Sequence, residues 1–120
     1  VGDQQCTPSY VPHVAKGVLE LLMLGRRGIF HVVNNNSTTW HGFANELFRL
    51  AEKTNSVAKI TTDEYPTAAE RPLYSVLATE KFGSTTGSPL PDWKVGLREY
   101  VQARNAQNVG SGETKCTQYS

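Results

Sequence analysis

The sequence predicts a small α/β fold, and three observations carry that expectation. Apolar residues recur with helical period in three separate stretches. A short β-rich run, Ile29-Phe30-His31-Val32-Val33, lies between the first two and is closed by Asn34-Asn35-Asn36. A second extended stretch, Val57 to Thr62, lies between the last two. The order helix, strand, helix, strand, helix in 120 residues makes one domain with room for a single modest core.

Taken in order, residues 1–10 are polar and turn-rich. Pro12 fits the first turn of a helix, where its missing N–H costs nothing. Val14, Val18, Leu21 and Leu22 then form an apolar stripe, and Gly25-Arg26-Arg27-Gly28 supplies the stop. Ile29–Val33 reads as a buried strand. Ser37-Thr38-Thr39 offers hydroxyl caps for a second helix, with Trp40, Phe43, Ala44, Leu47 and Ala51 on its core side and Phe48 and Leu50 widening it. Gly42 weakens that helix by ~1 kcal/mol relative to Ala, and Thr54-Asn55-Ser56 ends it. After the strand at 57–62 comes a loop, Asp63 to Pro72, then an extended piece at Tyr74–Leu77 and a helical turn at Thr79–Phe82. Gly83–Gly87 is flexible by composition. Pro89-Leu90-Pro91-Asp92 launches the third helix, with Trp93, Leu97, Tyr100 and Val101 on one face. The domain is expected to span 1–104, with 105–120 a polar, disordered tail. No internal repeat is present.

Composition excludes several functions. Twelve Lys and Arg against eleven Asp and Glu leave a formal charge of +1, so no basic field exists to recruit nucleic acid or an anionic membrane. The longest apolar run, Val18 to Leu24, is far short of the ~20 residues a membrane span needs, and no signal peptide opens the chain. A cytoplasmic setting is expected. Cys6 and Cys116 form no metal or redox motif, and whether they pair is open from sequence.

Most chemistry-bearing motifs are missing. Gly25-x-x-Gly28 has His31 where a third glycine would complete a dinucleotide fingerprint, and Gly110-x-Gly112 lies in the polar tail. His13, His31 and His41 lack zinc-ligand spacing, and no Gly-x-Ser-x-Gly elbow occurs. Two places stand out. Arg71, in Glu70-Arg71-Pro72, sits on a loop, where a guanidinium offers parallel donors to a phosphate; the plain alternative is a solvated arginine. Asp3 and Gln4, with Thr7-Pro8-Ser9, offer polar groups that either meet a ligand or bond local backbone. Trp40, Phe43 and Trp93 read as core.

Several blocks together resemble the C-terminal part of the dTDP-4-dehydrorhamnose reductase family. They are Asp3-Gln4-Gln5-Cys6-Thr7-Pro8-Ser9, Gly28-Ile29-Phe30-His31-Val32-Val33 and Ser37-Thr38-Thr39-Trp40-His41-Gly42-Phe43-Ala44. Thr61-Thr62-Asp63-Glu64-Tyr65-Pro66-Thr67, Arg71-Pro72, Ser75-Val76-Leu77, Thr79-Glu80-Lys81-Phe82 and Leu90-Pro91-Asp92-Trp93 continue the match over roughly residues 2–102. The family pattern has glycine at Cys6, threonine at Ser9 and Asp-Leu-Ala at His13-Val14-Ala15. If that glycine takes positive φ, Cys6 is strained.

The resemblance implies the substrate-binding lobe of an extended short-chain dehydrogenase, with the Rossmann domain absent. In that family NADPH reduces a 4-keto dTDP-sugar to dTDP-L-rhamnose, assisted by a Tyr-x-x-x-Lys pair. No tyrosine here has lysine four residues on, so no catalytic residue is assigned and no cofactor is expected on this chain. The resemblance points to Arg71 at the sugar-nucleotide diphosphate, with Asp3 and Gln4 as further substrate-binding candidates. The expected partners are a dTDP-sugar, the missing Rossmann domain or a second copy of the chain. A non-catalytic interaction module derived from the family is the alternative.

Overall fold

The computed structural model describes residues 1–110. Its elements in chain order are β1 (Gln5–Cys6), α1 (Val11–Met23), β2 (Thr38–Thr39), α2 (Trp40–Leu50), α3 (Glu80–Thr86) and α4 (Trp93–Gly110). No helix among these residues is long and apolar enough to cross a membrane.

The helices form where the periodicity places them, with boundaries set by local chemistry. Pro12 occupies the first turn of α1, and Gly25 at φ +62° closes it as Arg26 N–H reaches back to the Leu21 carbonyl. Thr39 caps α2 by accepting from Gly42 N–H at 3.1 Å. A Cβ at Gly42 would lie 2.5 Å from Thr38 Oγ1, so the glycine admits the strand hydroxyl at the cost in helix propensity. The helix ends at Leu50, before the expected Thr54-Asn55-Ser56, because Glu52 turns left-handed at φ +53° and Lys53 N–H bonds the Phe48 carbonyl. Asp92 caps α4, its carboxylate accepting from Lys94 N–H at 2.7 Å.

Four expectations need correction. Thr79–Phe82 is more than a turn: α3 runs through Gly83 to Thr86, ending at Gly87 with φ +94°, so most of the stretch expected to be flexible is helical. The tail does not begin at Asn105, since α4 continues to Gly110 on residues of good intrinsic propensity such as Ala103, Arg104, Ala106 and Gln107. Residues 111–120, and with them Cys116 and its pairing with Cys6, lie outside the described residues. Ile29–Val33 and Val57–Thr62 form no strand: among the described residues neither joins a ladder, and Thr62 lies in a bend. The strands that do form, β1 and β2, are two residues each and pair antiparallel, Gln5 opposite Thr39 and Cys6 opposite Thr38. Cys6 therefore sits in extended backbone, without the strain expected there.

The core is small. Leu21, Phe82 and Leu90 form one buried cluster, with Val14, Phe30 and Val32 packed against it. Trp93 and Leu97 on α4 are buried as well, with Phe43 of α2 beside Trp93, ring centres 6.1 Å apart. Gly17 faces the first cluster, where its bare Cα lets Phe82, Val32 and Leu90 close in. The predicted stripe of α1 is only half used. Val14 and Leu21 point inward, but Val18 and Leu22 are exposed, and with Leu19, Met23, Leu24 and Ile29 they leave an open apolar face.

Asn34 joins the two sides of the core. It is fully buried: its Oδ1 accepts from Tyr10 N–H at 2.8 Å, and its Nδ2 donates to the Pro91 carbonyl at 2.8 Å and to His13 Nδ1 at 2.9 Å. His13 then carries its proton on Nε2 and donates to Glu99 at 2.8 Å. This one side chain ties the starts of α1 and α4 together, beside the backbone bonds of Asn35 to Pro91 and Trp93.

Candidate functional site

The N-terminal segment runs as a spine between two neighbours. On one side β1 pairs with β2, and His41 N–H bonds the Val1 carbonyl at 2.9 Å. On the other, Gly2 N–H bonds the Ile60 carbonyl, Gln5 N–H bonds the Leu73 carbonyl at 2.8 Å, and Ser75 N–H returns to Gln5 at 2.9 Å. The segment from 57 to 75 is thereby drawn against residues 1–6, with the start of α2 across the way.

This arrangement brings Gln4 and Arg71 to one cavity of about 420 Å³, lined also by Val1, Trp40, Tyr65 and Thr67. A second hollow of about 320 Å³ opens beside it and shares Tyr65, Thr67 and Arg71. Arg71 is exposed and makes no ion pair among the described residues, so its guanidinium donors remain available to an anion. Trp40 is half exposed, contrary to its reading as core: it is the first residue of α2 and points to this cavity while Phe43, one turn on, meets Trp93.

Asp3 is placed differently from Gln4. Its carboxylate accepts from Thr62 N–H at 2.9 Å and from Thr62 Oγ1 at 2.8 Å, and it does not line the cavity. Those two bonds, the backbone one foremost, hold its pKa below the ordinary 3.8. Asp3 thus ties the loop to the spine. Glu64 does similar work within the loop, accepting from Thr61 N–H and Oγ1, which lowers its pKa in turn. The hydroxyl of Ser9 bonds backbone, as the plainer reading of that cluster held, whereas Thr7 Oγ1 is buried without a partner.

Two other cavities offer less chemistry. One of about 410 Å³ between α1, α2 and α4 is walled by Tyr10, Phe43, Trp93, Leu97 and Tyr100 and holds no charged group. Another of about 480 Å³ is polar, lined by Thr7, Asn34–Ser37 and residues 74, 76–80, with Glu80 its only charge. Each histidine is engaged inside the fold, His13 as above, His31 with the Ala78 carbonyl and His41 with the Val57 carbonyl. The helices start from Tyr10, Thr39, Thr79 and Asp92 rather than from a glycine-rich turn after a strand, and this is not the dinucleotide fingerprint's setting. Sequence reading missed Tyr65 and the role of Trp40; an exposed aromatic carries no periodic signal that separates it from core.

Comparison with known proteins places the chain as a whole. A crystal structure of a dTDP-4-dehydrorhamnose reductase from Clostridium acetobutylicum superposes with a TM-score of 0.82 at 34% identity, over 88% of this chain and 38% of that one. One from Bacillus anthracis in complex with NADP gives 0.79 at 29% identity, over 85% and 36%. The spore coat polysaccharide biosynthesis protein SpsK of Bacillus subtilis is 32% identical over 106 residues, 88% of this chain and 37% of that protein. The Escherichia coli dTDP-4-dehydrorhamnose reductase is 40% identical over 80 residues, 62% and 27%. The chain spans less than two-fifths of these relatives and corresponds to their C-terminal, substrate-binding part, an α/β lobe without the Rossmann domain. Residues 1–106 match the RmlD substrate binding domain, and the chain belongs to that family.

Proposed function

We propose that this lobe binds the nucleotide-sugar substrate of a dTDP-4-dehydrorhamnose reductase-like enzyme of the bacterial cytoplasm, with Arg71 holding the diphosphate. In the whole enzyme NADPH, carried by a Rossmann domain, reduces the 4-keto sugar. The lobe alone performs no reduction. The reading rests on one observation: Gln4 and Arg71, remote in sequence, line one cavity with open aromatic rings, and Arg71 makes no ion pair among the described residues. Asp3 serves the site by anchoring Thr62 rather than by touching substrate.

A thermal melt with and without dTDP tests this. At ~100 times the dissociation constant, ligand stabilises the fold by ~2.7 kcal/mol. The transition is expected to rise with dTDP and to rise less in Arg71→Ala. A transition that never moves removes the nucleotide-sugar reading, and NADPH oxidation by the isolated chain with the 4-keto substrate would overturn its inactivity.

A second reading draws on the open face of α1, where Leu19, Leu22, Met23 and Ile29 are each more than half exposed. In this reading the chain is an interaction module that self-associates through that face. Sedimentation across a concentration series decides: a monomer at every concentration rejects it.

A further inference from the structure

Gln4 is held in one orientation by a chain of hydrogen bonds. The carboxylate of Asp3 only accepts, so the single hydroxyl proton of Thr62 goes to Asp3 Oδ1 at 2.8 Å. Thr62 Oγ1 is then an acceptor, and Gln4 Nε2 donates to it at 3.1 Å. The amide cannot flip without setting its oxygen against that acceptor. Gln4 Oε1 is therefore left as a hydrogen-bond acceptor with no partner among the described residues, on a side chain that lines the cavity with Trp40, Tyr65 and Arg71. Trp40 and Tyr65 are 50% and 60% exposed, large flat surfaces that the core does not use.

We propose that Trp40, Tyr65 and Gln4 form a nucleobase subsite beside Arg71, in which the rings stack on the base and Gln4 Oε1 accepts its ring N–H. The inference rests on the nucleotide-sugar reading and deepens it. Thymine and uracil carry a proton on N3 and satisfy Gln4. Cytosine presents a bare lone pair there, which would face the amide oxygen. A site built to accept that proton rejects the base lacking it, because its own acceptor is left unpaired. Stacking is indifferent to this edge, so the rings supply affinity and Gln4 supplies selection.

Calorimetric titration of the intact chain with dTDP, CDP and inorganic pyrophosphate separates these roles. The wild-type chain is expected to favour dTDP over CDP by roughly tenfold. Trp40→Ala should weaken dTDP roughly tenfold or more and leave pyrophosphate unchanged, while Trp40→Phe, which keeps a ring, recovers most of the loss. Gln4→Leu should bring the dTDP and CDP affinities together without altering pyrophosphate. If Trp40→Ala weakens pyrophosphate as much as dTDP, the tryptophan supports the Arg71 loop and the subsite is wrong. If the wild-type chain binds dTDP and both variants match it, the subsite falls and the nucleotide-sugar reading stands. If the wild-type chain binds neither dTDP nor pyrophosphate, both fall.

Discussion

The side of the molecule built from α1, α3 and the start of α4 and the side built from residues 1–6 and 57–75 are held by different forces. The first encloses Leu21, Phe82 and Leu90, apolar side chains packed on Val14, Phe30 and Val32. The second has no buried apolar residue of its own: almost every position from 58 to 75 is exposed, and its shape depends on backbone bonds to Gly2 and Gln5 and on the Asp3–Thr62 pair. Non-directional burial keeps the helical side together, and it tolerates changes at the surface. A few directional bonds keep the other side together, each with little redundancy, which leaves the 57–75 segment the more weakly held.

The most severe test of this contrast is Phe82→Ala. Phe82 is 2% exposed at the centre of the helical cluster, and its removal should cost about 3–5 kcal/mol, read as a fall in the denaturant midpoint. A small loss would mean that the cluster is not what holds the helices.

Asn34→Ala comes next. It leaves the Tyr10 amide and His13 Nδ1 without their partner and takes from the Pro91 carbonyl one of its two donors, the Asn35 N–H remaining, at a cost of roughly 2–4 kcal/mol. Asn34→Asp should fare little better despite its shape, since the carboxylate cannot donate to Pro91. An aspartate variant as stable as wild type in urea would show that the donor bonds are not what fixes the starts of α1 and α4.

Gly17→Ala sharpens the comparison at smaller scale. Alanine favours a helix by ~1 kcal/mol, but a Cβ here lies 3.0 Å from Phe82 Cζ and Val32 Cγ1 and 3.1 Å from Leu90 Cδ2. Overpacking of this kind costs ~1–3 kcal/mol, so a net loss of about 1 kcal/mol is expected. A stabilised variant would mean that the helical core is looser than its contacts indicate.

What the residues reveal in advance follows the same division. The helices were legible because burial imprints a period: Val14 and Leu21, Phe43 and Leu47, Trp93 and Leu97 each mark an inward face. The period does not say which half of a wide stripe is used, so Val18 and Leu22, expected on the core side, lie exposed. Ile29–Val33 has strand composition, yet a strand needs a neighbour, and composition carries no information about one. That Gln4 and Arg71 share a cavity was not legible in the sequence, which offered them only as residue types and through the family resemblance. The tie of Asp3 to Thr62 was invisible in advance, because a bond from residue 3 to residue 62 leaves no local trace. Asn34 looked like one of three turn asparagines, and only its surroundings distinguish it.

The finest test uses acid. Asp3 and Glu64 have folded-state pKa values below their ordinary 3.8 and 4.5, for both chiefly through a backbone N–H donor. A carboxylate lowered on folding contributes in full above its unfolded pKa, and the contribution is lost as pH falls through the folded value. Both bonds are therefore intact above about pH 5 and are lost as the pH falls through folded-state values that lie below 3.8 for Asp3 and below 4.5 for Glu64. The Leu21, Phe82 and Leu90 cluster contains no carboxylate and has no such dependence. Acidification should release the 57–75 segment while α1 and α3 stay protected. Hydrogen exchange normalised to intrinsic rates is expected to show Thr61 and Thr62 amides, and then Gln5 and Ser75, losing protection first. Asp3→Asn should loosen Thr62 at neutral pH, since the amide can present a donor where Thr62 needs an acceptor, and should blunt the acid response there. Loss of protection at the same pH across both sides would mean that the molecule opens as one unit, and that the site loop is no more weakly held than the helices it rests beside.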